Sequence, residues 1–319
     1  NAENKVKLME LEAAQAILEA MKRHRDHAAV QEQGCAALRN LGNNNAENQV
    51  KLMELEAAQA ILEAVKRHGD HAAVQEQGCG ALWNLAVNAE NKVKLMELEA
   101  AQAILEAMKR HRDHAAVQEQ CCGALWNLAM NAENKVKMME LEAAQDILEA
   151  MTRHRDHAAV QQNGCGALLS LAINAENKVK LMELEAAQAI LEAMRGHRDH
   201  AAVQQFGCSA LRNLAMNAEN KVKLMELEAA QAILEAMRGH RDHAAVQQFG
   251  CSALRNLAMN AENKVKLMEL EAAQAILEAM RGHRDHAAVQ QFGCSALRNL
   301  AMNAENKVKL MELEAAQAI

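Results

Sequence analysis

The chain has 319 residues, 50% hydrophobic, 24% charged and only 2% aromatic, with no proline or tyrosine and a net charge of -7. Half apolar is enough for a core and excludes wholesale disorder, while the acidic balance argues against nucleic acid as the main partner. No apolar run approaches the roughly 20 residues that a membrane-spanning helix needs. With so few rings, the core falls to Leu, Met, Val, Ile and Ala. These residues, with Glu, Lys and Gln, lose little rotamer freedom in a helix, so the composition predicts an all-α chain.

The tetrapeptide Asn-Ala-Glu-Asn recurs at Asn1, Asn45, Asn88, Asn131, Asn174, Asn217, Asn260 and Asn303. The first interval is 44 residues and every later one is 43, the extra residue falling in the Gly42-Asn43-Asn44 stretch. The repeats are therefore 1–44, 45–87, 88–130, 131–173, 174–216, 217–259 and 260–302, with a partial repeat 303–319. Residues 174–216, 217–259 and 260–302 are identical to one another. Such a period predicts a solenoid in which each repeat buries its apolar face against its neighbours, one array over 1–319.

The repeat 217–259 shows the predicted elements. Asn217 is placed to cap a helix, with Glu219 in the first turn where the helix dipole favours negative charge. Val222, Met225, Ala229, Ala230, Ile233, Leu234 and Met237 then recur at helical spacing. Gly239 ends that stretch, and Asp242 is placed to cap the next helix. In the latter, Val246, Gly250, Ala253, Leu254 and Leu257 form one stripe, with Gly250 marking a close approach of two helices.

These residues resemble the armadillo repeat family. Asn-Ala-Glu-Asn-Lys looks like the family's opening, and Cys79-Gly80-Ala81-Leu82-Trp83-Asn84-Leu85-Ala86 looks like its third helix. The resemblance runs through every repeat. It implies an armadillo-like α-solenoid, a right-handed superhelix of two to three helices per repeat, whose third helices line a groove for extended peptides. Two departures stand out. Where the family places Gly, between its first and second helices, this chain has Glu12, Glu56 and Glu228. The apolar phase from Val222 to Met237 fits one continuous helix, whereas the resemblance implies a bent pair. Four residues before the groove Asn, where peptide-binding members carry Trp, stand Ala36, Gly80, Gly123, Gly166, Ser209, Ser252 and Ser295.

The candidate groove residues are the ladder Asn40, Asn84, Asn127, Asn213, Asn256 and Asn299, interrupted by Ser170. An Asn there either pairs with a bound backbone or bonds to the neighbouring repeat. Beside it one position holds Arg39, Trp83, Trp126, Leu169, Arg212, Arg255 and Arg298, a variety that a tightly packed core would not accept. On a helical wheel Gln205, Ser209, Arg212 and Met216 lie opposite the core stripe, flanked by Phe206 and Asn213. Phe206, Phe249 and Phe292 replace the Gln33, Gln77, Gln120 and Asn163 of earlier repeats. Arg and Phe at these places suit contacts with proteins or extended peptides.

Histidines come in pairs, from His24/His27 to His283/His286, each flanking the Asp expected to cap a helix. Two His without nearby Cys make a weak metal signal, and a solvated loop is the expectation, with no metal or cofactor. The eight cysteines all fall on the last helix of their repeats, where small buried thiols in a reducing, cytoplasmic setting are expected. With four serines, one threonine and no phosphate-binding loop, no catalytic constellation is present, and an enzyme is not expected. Asp146 replaces an alanine of the other repeats and is expected on an exposed helix face. The chain opens without Met, so a fragment or processed chain is expected. The stripe from Val6 to Met21 matches internal repeats and the chain stops at Ile319. Uncapped ends of this kind are expected to continue into further repeats or to stack chain on chain as a filament.

Overall fold

The computed structural model describes residues 2–313. Asn1 and Ile319, with the expectations placed on them, lie outside the described residues. The chain divides into two compact units, Asn1–Leu171 and Ala172–Ile319.

In the first unit, the first repeat folds as α1 (Ala2–Glu10), α2 (Ala13–Arg23) and α3 (Ala28–Gly42). The second is α4 (Ala46–Glu54), α5 (Ala57–Arg67) and α6 (Ala72–Leu85). The third is α7 (Ala89–Glu97), α8 (Ala100–Arg110) and α9 (Ala115–Leu128). The fourth is α10 (Ala132–Glu140), α11 (Ala143–Arg153) and α12 (Ala158–Leu171). In the second unit, the fifth repeat is α13 (Ala175–Glu183), α14 (Ala186–Gly196) and α15 (Ala201–Leu214). The sixth is α16 (Ala218–Glu226), α17 (Ala229–Gly239) and α18 (Ala244–Leu257). The seventh is α19 (Ala261–Glu269), α20 (Ala272–Gly282) and α21 (Ala287–Leu300), followed by α22 (Ala304–Glu312). No strand occurs among the described residues, and none of their helices is long and apolar enough to cross a membrane.

The first helices from α4 to α22 start as their sequences dictate. The Asn217 carboxamide oxygen accepts from the N–H groups of Glu219 at 2.9 Å and Asn220 at 3.0 Å, satisfying donors that the first turn leaves free. The helix then stops. Glu228 adopts φ 60°, as do its counterparts from Glu12 to Glu271 at 57–60°. The bent pair is therefore the arrangement present, built on a left-handed residue where glycine would sit without strain.

The break shifts the apolar phase. Val222, placed on the core stripe by a continuous helix, is 38% exposed, and Leu224 is fully buried instead. From Ala229 to Met237 the stripe is buried as expected, and so is Val246 to Leu257. A Cβ added to Gly250 would stand 2.5 Å from Met237 Cγ, so glycine is what lets α17 and α18 approach. The third helices pack most extensively, α3 on α6 on α9 on α12 in the first unit and α15 on α18 on α21 in the second.

Candidate functional site

In each unit the face of the third helices is assembled from three side-chain layers. Deepest are the ladder asparagines. The amide of Asn84 donates to the Arg39 carbonyl at 2.9 Å, and that of Asn127 to the Trp83 carbonyl at 3.1 Å. Asn256 donates to Arg212 O at 2.9 Å and Asn299 to Arg255 O at 3.0 Å. Each bond joins a third helix to the one before it, at a carbonyl already inside a helix. The other end of the amide is engaged too. Asn213 Oδ1 accepts from Arg212 at 3.1 and 2.9 Å, and Asn256 Oδ1 from Arg255 at 3.1 and 2.8 Å. Asn213 and Asn256 are 2% exposed, whereas Asn40 is exposed. The bond between repeats is made by Asn84, Asn127, Asn256 and Asn299.

Over the asparagines lies the variable position. Trp83, Trp126, Arg39, Arg212 and Arg255 are all half-buried, and Arg298 is exposed. Their reach explains the small residues nearby. A Cβ on Gly123 would meet the Trp83 ring at 2.6 Å, one on Gly166 would meet Trp126 at 2.6 Å, and one on Gly80 would meet Arg39 Nε at 2.7 Å. Glycine at these places therefore makes room for the large side chain of the preceding repeat. At Gly123 and Gly166 the ring absent four residues before the ladder Asn is supplied by the repeat before. This packing corrects the helical-wheel placement of Ser209. Ser209 and Ser252 are buried at 2% and 1% rather than lining a groove, while Met216 is 59% exposed.

The phenylalanines form the third layer. The Arg212 guanidinium lies 5.4 Å from the centre of the Phe249 ring, and Arg255 stands at the same distance over Phe292, a cation–π arrangement. Phe206 is half-buried at the equivalent place. In the first unit glutamines take this role, Arg39 donating to Gln77 Oε1 at 3.2 Å and to Gln120 Oε1 at 2.9 Å. Burial, followed by the charge of Arg255, depresses the Arg212 guanidinium below the ordinary arginine value. Arginine at this half-buried place keeps its charge on the face, because its ordinary value is so high.

Other expected residues serve the stack. The first His of a pair bonds through Nε2 to a loop carbonyl of the preceding repeat, His111 to Gly69 at 2.6 Å and His240 to Arg198 at 2.7 Å. The second His, not the Asp, occupies the N-cap. His200 and His243 Nδ1 accept from Val203 and Val246 at 3.4 Å, so Asp242 does not cap α18. Among the described residues no three-residue His, Cys, Asp or Glu cluster could hold a metal ion. All eight cysteines are free thiols and seven are buried. Burial pushes the Cys35, Cys122, Cys165 and Cys251 thiols up to about 12, which removes thiolate character from them.

Asp146 departs from expectation. It is 9% exposed, packed between repeats, with Oδ2 3.4 Å from Lys109 Nζ. Desolvation raises its carboxyl above the usual range, and the Lys109 charge opposes that shift. The exposed face expected of α11 alone is the face that meets α8 of the preceding repeat.

Two structural roles are absent from the sequence expectations. The second Asn of the later tetrapeptides is a buried tie, whereas Asn4 is exposed: Asn220 donates to Leu214 O and Lys178 O, both at 3.2 Å, joining its own repeat to the end and to the first helix of the repeat before. Gln204 donates to Met194 O and His197 O at 2.8 Å, fastening the loop between α14 and α15. Their recurrence in every repeat is the available signal, since a solvated Asn or Gln has no reason to recur.

Comparisons with known proteins agree with this architecture. The family model for the LRRK2 ARM repeat matches residues 4–185 and 137–315. No curated protein sequence matches. A solved structure described as "A conserved phosphorylation switch controls the interaction between cadherin and beta-catenin in vitro and in vivo" has a TM-score of 0.80 at 19% identity. That likeness covers 96% of this chain and 60% of the other, so the chain spans less than two thirds of that relative. An engineered protein matches with a TM-score of 0.80 at 15% identity, over 94% of this chain and 71% of its own. A designed armadillo repeat protein matches with a TM-score of 0.66 at 23% identity, over 76% of this chain and 98% of its own. The fold class is therefore an all-α, armadillo-like solenoid.

Proposed function

The chain belongs to the armadillo repeat family, and on that premise we propose that it is a non-catalytic scaffold whose third-helix face binds protein partners. The observation that carries this reading is the division of labour on that face. The asparagines are occupied in holding repeats together, while Arg212, Arg255, Phe249, Phe292, Trp83 and Trp126 stand half-buried above them. Paired Arg and aromatic side chains are the residue types that carry energy at protein interfaces. They are also partly preorganised by their contacts with one another, which lowers the ordering cost of binding. The solved structure concerned with cadherin and beta-catenin, and the designed armadillo protein, support a protein or peptide partner by likeness of fold.

In a narrower form, the face grips an extended peptide through its asparagine ladder. That reading requires Asn256 to give up its three existing hydrogen bonds for new ones, which yields little net energy. Selection of peptides from a random library against the chain separates the two. Binders should lose affinity on F249A/F292A at unchanged melting temperature. The variant N213A/N256A/N299A should lose melting temperature and binding together. Loss of binding alone in the asparagine variant, with stability intact, would instead establish the peptide grip.

Self-association is a second reading, favoured by the identity of residues 174–216, 217–259 and 260–302. The surface that one of these repeats turns to the next is the same in all three, so a repeat exchanged between two chains would re-form the same contacts. Sedimentation over a wide concentration range should then show assemblies that grow with concentration, and a monomer throughout would overturn it.

A further inference from the structure

The second helices of successive repeats do not close against each other everywhere. Between α14 and α17 there is a cavity of about 270 Å³, in which Arg195, Arg198 and Arg238 face the carboxylates of Asp199 and Glu235. The same cavity, again about 270 Å³, recurs between α17 and α20, with Arg238, Arg241 and Arg281 facing Asp242 and Glu278. Each wall thus carries three guanidinium groups against two carboxylates, on a floor made by Met194 and Ala232 in one case and Met237 and Ala275 in the other.

The first unit shows what fits such a space. Between α8 and α11 the corresponding cavity is only about 10 Å³, no more than a single water needs. Asp146, which stands at the position of Ala232 and Ala275, is part of its lining. Its carboxylate lies 3.4 Å from Lys109, and Arg112 lines the same place. By the register of the repeats, Lys109 corresponds to Arg195 and Arg238, and Arg112 to Arg198 and Arg241. Where alanine stands in the first unit the space is open: between α2 and α5, beside Ala60, Lys22 and Arg25 line a cavity of about 260 Å³. The cationic wall is kept there, and both of its positions are arginine between α14 and α17 and between α17 and α20.

We propose that the cavities between α14 and α17 and between α17 and α20 are binding sites for a small carboxylate-bearing molecule, whose anionic group takes the place that Asp146 fills in the first unit. The carboxylate sits toward Arg195 and Arg198, or Arg238 and Arg241, and its apolar part lies on the Met and Ala floor. The existing ion pairs leave room for it. Arg195 meets Glu228 at 3.2 Å and Arg198 meets Glu235 at 3.6 Å, single contacts that leave other guanidinium donors of each fork available. These sites lie among the second helices, apart from the third-helix face, so they stand or fall independently of the partner-binding reading.

Benzoate is a suitable probe, because it joins one carboxylate to one flat apolar body. Methionine-methyl resonances of the native chain, titrated with sodium benzoate against sodium chloride at equal ionic strength, should move saturably with benzoate alone. The variant A232D/A275D supplies both cavities with the carboxylate that the first unit already has, and should abolish the response. R198Q/R241Q should keep the fold and weaken binding by about tenfold, the value of one hydrogen bond to a charged group. No saturable response in the native chain would overturn the proposal. So would a response that survives both variants, each checked for native helix content by circular dichroism.

Discussion

Asp146 is the clearest case of a residue whose meaning depends on its neighbours. In one helix it reads as a harmless surface charge; between α8 and α11 it is a carboxylate taken out of water beside Lys109, with Arg112 lining the same place. Because burial raises its carboxyl in the folded chain, the folded state holds its proton more tightly than the unfolded state. Stability associated with this group is then full below the ordinary carboxylate value and falls as pH rises through the raised one. Asp146→Ala, which restores the residue of every other repeat, should raise stability at pH 7 by about 1 kcal/mol or less, given the solvent that still reaches the site. In thermal melts at a series of pH values, that gain should shrink on acidification; a constant gain would point to packing and not charge. The ladder asparagines behave oppositely. Asn256→Ala strands the Arg212 carbonyl contact and the Arg255 guanidinium contact, and should cost about 1–3 kcal/mol by denaturant unfolding, with little change in the slope. Sequence alone leaves their role open between two uses, because hydrogen-bonding capacity is visible in a residue name and the identity of its partner is not.

At the scale of the helix, the repeats show how a phase error arises and what it conceals. The first-helix cap, the third-helix stripe and the close-approach glycine are legible in the sequence, since each depends on residues near one another in the chain, whereas the third-helix cap expected at Asp242 falls to His243. The Asn217 cap and the Gly250 contact with Met237 stand where the pattern places them. The break between α16 and α17 is not legible from periodicity, because Ala229 to Met237 continues the apparent apolar run and Glu228 has no turn propensity of its own. Only the resemblance to the family carries the bend. Glu228 at φ 60° costs roughly 1–2 kcal/mol against a residue free to be left-handed. Its exposed ion pair with Arg195 returns little. Glu228→Gly should therefore stabilise the chain by up to about 1 kcal/mol, after the greater freedom of glycine in the unfolded chain is set against the relief. Glu228→Gly with Glu271→Gly should give close to twice the effect, since the two turns share no partner. A fall in melting temperature would mean that the left-handed turn is not the resting arrangement.

For the chain as a whole, the repetition itself makes a prediction that no single residue does. Within the second unit each repeat is fastened to the next by the same few contacts. Asn256 and Asn299 tie third helices, Asn263 ties Lys221 O at 3.1 Å and Asn306 ties Lys264 O at 3.1 Å, and Arg212 and Arg255 cover Phe249 and Phe292. Contacts that run only between neighbours make stability a sum of repeat terms and interface terms. Because residues 217–259 duplicate those on either side, their excision joins Met216 to Asn260 in a setting identical to the natural Met216-Asn217 junction. Every surviving interface keeps its native partner. The shortened chain should fold with unchanged helix content per residue. Its denaturant slope should fall in proportion to the surface removed, and its midpoint should move little. Excision of 88–130 provides the contrast. It brings Ala81, Trp83 and Gly80 of one repeat against Ala167, Leu169 and Gly166 of another, so Gly166 loses the Trp126 ring and receives Trp83 in its place. That junction should also fold, because a large side chain again meets a glycine. Joining a repeat with Trp126 to one with Ser252 should not fold as well, since the serine Cβ would stand where the ring packs. Unfolding curves for the three chains, compared at equal concentration, check whether the pairing of large and small residues across the repeat boundary, and not repeat identity alone, decides which repeats are compatible.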